Sequence, residues 1–137
     1  DGIGLLDFGE TEEIDPSSLP RMANPQLGHG AVEAQARAYL DVNCAHCHRP
    51  EGWAPGDVEL DLRVETALEE TGLCETMKYF EWAGMARVAP GDPERSGLLA
   101  RFLRDDSLRM PSVGTSVVDA DGAALLGTWI AQLSACP

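Results

Sequence analysis

The chain has 137 residues, enough for one domain with one modest core. Lys and Arg total 10 against 23 Asp and Glu, and the net charge of −13 would repel nucleic acid and anionic membrane surfaces while favouring basic partners. No apolar run approaches the roughly 18 residues that a bilayer crossing needs, and the sequence begins at Asp1 without an apolar leader, which reads as a processed secretory protein or a piece of a longer one.

In chain order, residues 1 to about 30 read as an irregular arm or linker lying over the domain. Asp1, Asp7, Glu10, Glu12, Glu13 and Asp15 face a single basic residue, Arg21, and Pro16, Pro20 and Pro25 interrupt any period. Residues 31–43 predict a helix. Val32, Ala36, Tyr39, Leu40 and Asn43 recur at spacings of three and four, with no Pro or Gly inside. After Cys44-Ala45-His46-Cys47-His48 comes Arg49-Pro50-Glu51-Gly52, a turn. Residues 53–90 are the least legible. Leu60-Asp61-Leu62-Arg63-Val64 alternates as a short strand would, and 65–71 reads as one or two helical turns stopped by Gly72. Asp92 caps and Pro93 opens a helix expected to run from 93 to about 104, with Leu98, Leu99, Phe102 and Leu103 on its apolar stripe. Leu108-Arg109-Met110-Pro111 falls in a loop. Asp119 caps a last helix to about 133, buried through Leu126, Trp129, Ile130 and Leu133.

The four cysteines divide into a close pair and a distant pair. Cys44 and Cys47 with His48 form C-x-x-C-H, the spacing of c-type haem attachment. Two thiols reach the two vinyl groups on one haem edge, and the next residue swings its imidazole beneath the iron. A structural zinc site would want a second C-x-x-C or H-x-H cluster, and the chain has none. A thioredoxin-like pair would follow a strand and lack the trailing histidine. Cys74 and Cys136 read either as a disulfide, in the oxidising compartment that haem attachment requires, or as two buried free thiols.

Opposite His48 the iron has a further position, for which Met22, Met77, Met85, Met110, His29 and His46 are candidates. His46 is tied within the attachment loop, while Met22 and His29 lie on the arm. Met110 fits best. It follows the motif by some sixty residues, sits between two predicted helices, and precedes Pro111, which disfavours helix at Met110. Met85 is the runner-up, and core filler is the plain reading of Met110. A thioether ligand raises the potential and fills the iron, which favours a carrier over a catalyst.

Taken together, these residues resemble monohaem cytochrome c. The marks are Arg37-Ala38-Tyr39-Leu40, Asn43-Cys44-Ala45-His46-Cys47-His48-Arg49-Pro50, Leu60-Asp61-Leu62-Arg63, Thr71-Gly72-Leu73-Cys74, Pro90-Gly91-Asp92-Pro93-Glu94-Arg95-Ser96, Met110-Pro111 and Trp129-Ile130. Their pattern is similar to the C-terminal cytochrome c domains of larger secreted bacterial redox or carbohydrate-active proteins. It covers about 31–137 and leaves the arm at 1–30 outside. The resemblance implies an all-α cytochrome c fold, with the N- and C-terminal helices crossing beside one covalently bound haem c. It also implies a Cys74–Cys136 disulfide. Where this subgroup usually has a second proline after Met-Pro, Ser112 stands here.

The expected site is therefore Cys44 and Cys47 for attachment and His48 and Met110 for the metal. The Pro50 carbonyl would accept from the second nitrogen of His48. Arg63, Arg87, Trp53 and Trp82 are candidate donors to the haem propionates; the plain alternative for each is a surface arginine or a core aromatic. The expected function is electron transfer, not enzyme catalysis, alone or as a module of a larger oxidoreductase. The partner would be a secreted redox protein with a basic docking patch, and the chain a periplasmic or secreted bacterial monomer with no nucleic-acid partner and no membrane insertion. The alternatives are a haem enzyme or gas or redox sensor with an open sixth position, and a docking domain with a structural haem.

Overall fold

In the computed structural model, residues 15–54, 58–78 and 80–137 are described, and among these the regular structure is helical, with no strand. Helix α1, Val32–Cys44, starts one residue later than its periodicity predicts and ends on the first motif cysteine. Its buried residues are Ala36, Arg37, Ala38 and Leu40. The burial of Arg37 is the departure, because arginine is rarely buried unless paired.

The helix expected from 93 to about 104 is interrupted. Pro93–Arg95 is a single 3-10 turn capped by the Asp92 carboxylate, and α2, Gly97–Phe102, follows only after Ser96. Ser96 is fully buried with extended backbone. Its hydroxyl accepts from the Ala89 N–H (2.9 Å) and donates to the Asp92 carbonyl (2.9 Å). A serine that satisfies neighbouring backbone in this way competes with continuous helix.

Helix α3, Ala120–Gln132, is capped as expected, with Asp119 accepting from the Gly122 N–H at 3.0 Å. It packs against α1. The Tyr39 hydroxyl of α1 donates to Asp119 (2.8 Å), and a Cβ at Gly122 would collide with the Tyr39 ring, so glycine sets how closely the two helices approach. Leu40, Phe102, Leu126, Trp129 and Ile130 join Leu62, Leu73, Leu99 and Val88 in one core.

The middle of the chain is held by single hydrogen bonds. The strand expected at Leu60–Val64 does not form. Asp61 N–H donates to the Thr71 carbonyl and Leu62 N–H to the His48 carbonyl, both at 2.9 Å, so consecutive donors go to different segments and no ladder can build. The helical turns expected at 65–71 reduce to one 3-10 turn, Leu68–Glu70. Residues 75–87 double back through one isolated bridge between Thr76 and Ala86. Cys74 and Cys136 form a disulfide with Cα atoms 5.6 Å apart, tying the end of the chain to this middle region.

Of the arm, two 3-10 turns are described, Pro16–Ser18 capped by Asp15 and Pro25–Leu27 capped by Asn24; the second packs on α1. Asp1, Asp7, Glu10, Glu12 and Glu13 lie outside the described residues. Among those described, no helix is long and apolar enough to cross a membrane.

Candidate functional site

The motif begins where α1 ends. Ala45 N–H still bonds back to Leu40 and Asp41, and the N–H groups of Cys47 (3.1 Å) and His48 (2.9 Å) both return to the Cys44 carbonyl. The segment therefore winds into a tight turn. Ala54 N–H closes on the Cys47 carbonyl at 3.1 Å, and a Cβ at Gly52 would strike that same carbonyl. Glycine is needed there by close approach alone.

Cys44 and Cys47 are free and partly buried. Burial, and then the neighbouring Cys47, push the Cys44 thiol up to about 12. Redox-active C-x-x-C thiols have depressed values, and Cys44 is shifted in the opposite direction. His48 is shifted the other way. Burial, then the charges of Arg101, Arg87 and His46, lower its pKa and hold the imidazole neutral at neutral pH, the form that ligates metals.

The Nδ1 of His48 is buried without a hydrogen-bond partner. The acceptor role expected of the Pro50 carbonyl is therefore not filled: Pro50 is exposed, at the turn where Gly52 N–H closes on the Arg49 carbonyl at 2.9 Å.

Met110 is partly buried, its N–H donating to the Arg101 carbonyl at 3.1 Å and its peptide bond to Pro111 being cis. It lines a recess of about 110 Å³ with Pro111, Tyr39, Asn43, Phe102 and Val118. Asn43 precedes Cys44, so the fold brings the Met110 loop to the end of α1 that carries the thiols. Met22 is 42% exposed on the arm, and His29 and His46 are exposed. Met77 packs on Gly97 at the start of α2, and Met85 is partly buried in the doubled-back segment.

The four residues expected to face propionates sit in different settings. Arg63 forks onto Asp61 with nitrogen–oxygen distances of 2.6–3.2 Å and holds that carboxyl down at about 2. Arg87 is buried and donates to the carbonyls of Val58, Glu59 and Gly72. Trp53 is 92% exposed. Trp82 is buried, with the guanidinium groups of Arg101 and Arg104 over its ring at 5.4 and 5.1 Å.

Sequence reasoning passed over Arg37 and Trp129 as polar atoms of the interior. Arg37 donates to the carbonyls of Arg63 and Thr66, both at 2.7 Å, while its Nε and the indole nitrogen of Trp129 are buried without partners. The available signal was position, since Arg37 sits between Ala36 and Ala38 on a helix with an apolar face. An acidic cleft of about 620 Å³ lies beside the motif turn, lined in part by Glu51, Glu59, Asp61, Glu69, Glu70 and Glu75.

Among the described residues, no three His, Cys, Asp or Glu side chains gather as a metal-binding group. A haem iron needs none, since the porphyrin supplies four of its ligands. Comparison with family models, with curated proteins and with solved structures returns no match.

Proposed function

We propose that this chain is a monohaem c-type electron carrier or relay domain, with the all-α cytochrome c fold and haem c bound through Cys44 and Cys47. The observation that carries the reading is the motif itself in its setting. Cys44 at the end of α1 and Cys47 in the turn after it are unpaired, partly buried thiols, and the neutral imidazole of His48 follows directly. The donor chemistry fits the group: the Cys44 and Cys47 thiols would hold two vinyl carbons, and the His48 imidazole and the Met110 thioether would hold the iron.

Bound haem would supply one-electron Fe(III)/Fe(II) chemistry. The chain's own residues fix its surroundings. Cys44 and Cys47 would hold the edge, and the tight turn from Cys44 to His48 orients the imidazole. Leu40, Phe102 and Leu126 contribute apolar surface that keeps water out of the interior. Met110 would close the remaining position, which leaves no place for a substrate on the metal and supports a carrier over an enzyme or gas sensor. The net charge of −13 suits a basic redox partner. The disulfide and the attachment chemistry both call for an oxidising compartment, so we place the protein in the periplasm or outside the cell.

The test is the optical spectrum of the purified holo-protein. The expected result is haem that acidified butanone does not extract, low-spin when oxidised, with a weak thioether-to-iron charge-transfer band. Met110→Ala should keep the haem, bind cyanide and lower the potential, and His48→Ala should yield no stable holo-protein. Extractable colour would overturn haem attachment. A high-spin wild type that binds CO at once would favour the enzyme or sensor.

A further inference from the structure

The backbone that leads into Met110 is fastened at two points to one residue of α2. The Arg101 guanidinium donates through Nε (3.1 Å) and Nη2 (2.9 Å) to the Leu108 carbonyl, and the Arg101 carbonyl accepts the Met110 N–H at 3.1 Å. Leu108 is held from its other side, its N–H donating to Asp106 at 2.9 Å. The Arg101 guanidinium lies over the buried Trp82 ring, 5.4 Å from its centroid. Arg104 shares that ring and is itself tied to Glu81 (2.6 Å) and to Asp106. The residues at 101, 104, 106 and 108 and the ring at 82 thus form one connected frame around the backbone that leads into Met110.

We infer that Arg101 is the positioning residue for the Met110 thioether, with Trp82 as the platform that aims its guanidinium. The inference rests on Met110 being the iron ligand. A loop with little regular structure needs an outside restraint to keep a weak neutral ligand in place. Two parallel N–H donors on one carbonyl fix the direction of the peptide as well as its distance, and a planar guanidinium can do this while stacking on an aromatic face. A lysine keeps the charge but offers neither the fork nor the flat face. The guanidinium sits on the carbonyl two residues before Met110, so its charge also lies close to the ligand it positions. A fixed positive charge near an iron favours the reduced state, so the same side chain would hold the ligand and raise the potential.

The experiment compares the ferric holo-protein of wild type, Arg101→Leu, Arg101→Lys and Trp82→Leu, with Arg95→Leu as control because Arg95 is 83% exposed outside the frame. The readouts are imidazole affinity, the thioether-to-iron band and the reduction potential. Loss of a partner that orients a ligand typically costs ten- to a hundredfold. Arg101→Leu should therefore raise imidazole affinity by at least about tenfold, weaken the band and lower the potential. Arg101→Lys and Trp82→Leu should loosen the ligand by less, with the potential changing less because the charge remains; if Arg101→Leu yields no holo-protein, these two carry the test. Arg95→Leu should match wild type. A wild type that shows the band, with Arg101→Leu within twofold of it in imidazole affinity, overturns the inference alone. A wild type without the band overturns the Met110 assignment, and this inference with it.

Discussion

Gly122→Ala sets two effects of similar size against each other. Gly122 lies in the first turn of α3, where alanine improves on glycine by up to about 1 kcal/mol in helix propensity. On that ground alone the variant is stabilised. The α1–α3 crossing reverses the sign. The new methyl meets the ring and hydroxyl of Tyr39, whose hydroxyl is bonded to Asp119 at 2.8 Å. Overpacking costs about 1–3 kcal/mol, and a displaced hydrogen bond about 1 more. The net is a loss of about 2 kcal/mol, or ~7 °C in Tm for a chain of this length. Thermal unfolding of the holo-protein, followed by far-ultraviolet circular dichroism, measures it. In a Tyr39→Ala background nothing remains to collide with, so Gly122→Ala should become neutral or stabilising by up to about 1 kcal/mol. A Tm that rises in the single variant, or an equal loss in both backgrounds, refutes the steric account of the crossing.

Two further outcomes concern ties on which the loops depend. Cys136→Ser opens a cross-link spanning 62 residues, and loop-closure entropy puts the loss at about 4 kcal/mol; a Tm within 2 °C of wild type would mean the link restrains little. Asp61, held by Arg63, has its carboxyl lowered to about 2 from an unfolded value of about 3.9. A depressed carboxyl contributes stability that is present above the unfolded value and lost as pH falls through the folded one. The stability difference between wild type and Asp61→Asn, on the order of 1 kcal/mol after solvent screening and read as a shift in Tm, should therefore persist at pH 6 and close between about pH 4 and pH 2. A difference independent of pH would show that the pair contributes no charge-dependent stability.

What the sequence made legible was whatever rests on local chemistry. The two long helices follow from apolar periodicity, and α3 from its Asp119 cap as well. The attachment motif is five consecutive residues and needs no tertiary contact to be seen. The break at Ser96 was not legible, because the serine prefers Ala89 and Asp92 only once the chain has folded back beside it. The strand expected at Leu60–Val64 failed for a related reason. Alternation reports that one face is buried, and Leu62 is, but it cannot supply the neighbouring strand that a ladder requires. Met110 was favoured for its spacing and its proline. Its N–H bonds the Arg101 carbonyl and the Arg101 guanidinium bonds the Leu108 carbonyl, and main-chain acceptors carry no signature in sequence.

The arginines show most clearly what sequence could not supply. Arg37 and Arg87 are buried and act mainly on loop carbonyls, Arg37 on Arg63 and Thr66, Arg87 on Val58, Glu59 and Gly72, with the Glu75 carboxylate 3.5 Å from Arg87. Among the described residues between α1 and α2 there are only short 3-10 turns and one isolated bridge, so many carbonyls there lack ladder partners. A guanidinium has five donors in one plane and can satisfy several carbonyls at once. Arg87→Lys tests this stapling role. Lysine keeps the charge but cannot reach three carbonyls in that geometry, and losing about two charge-assisted bonds should remove about 3 kcal/mol, ~10 °C in Tm. The reduction potential should stay near that of wild type, since the charge is retained. If Tm holds while the potential moves, Arg87 serves a carboxylate of the prosthetic group instead, and the loop carbonyls must be satisfied by other means.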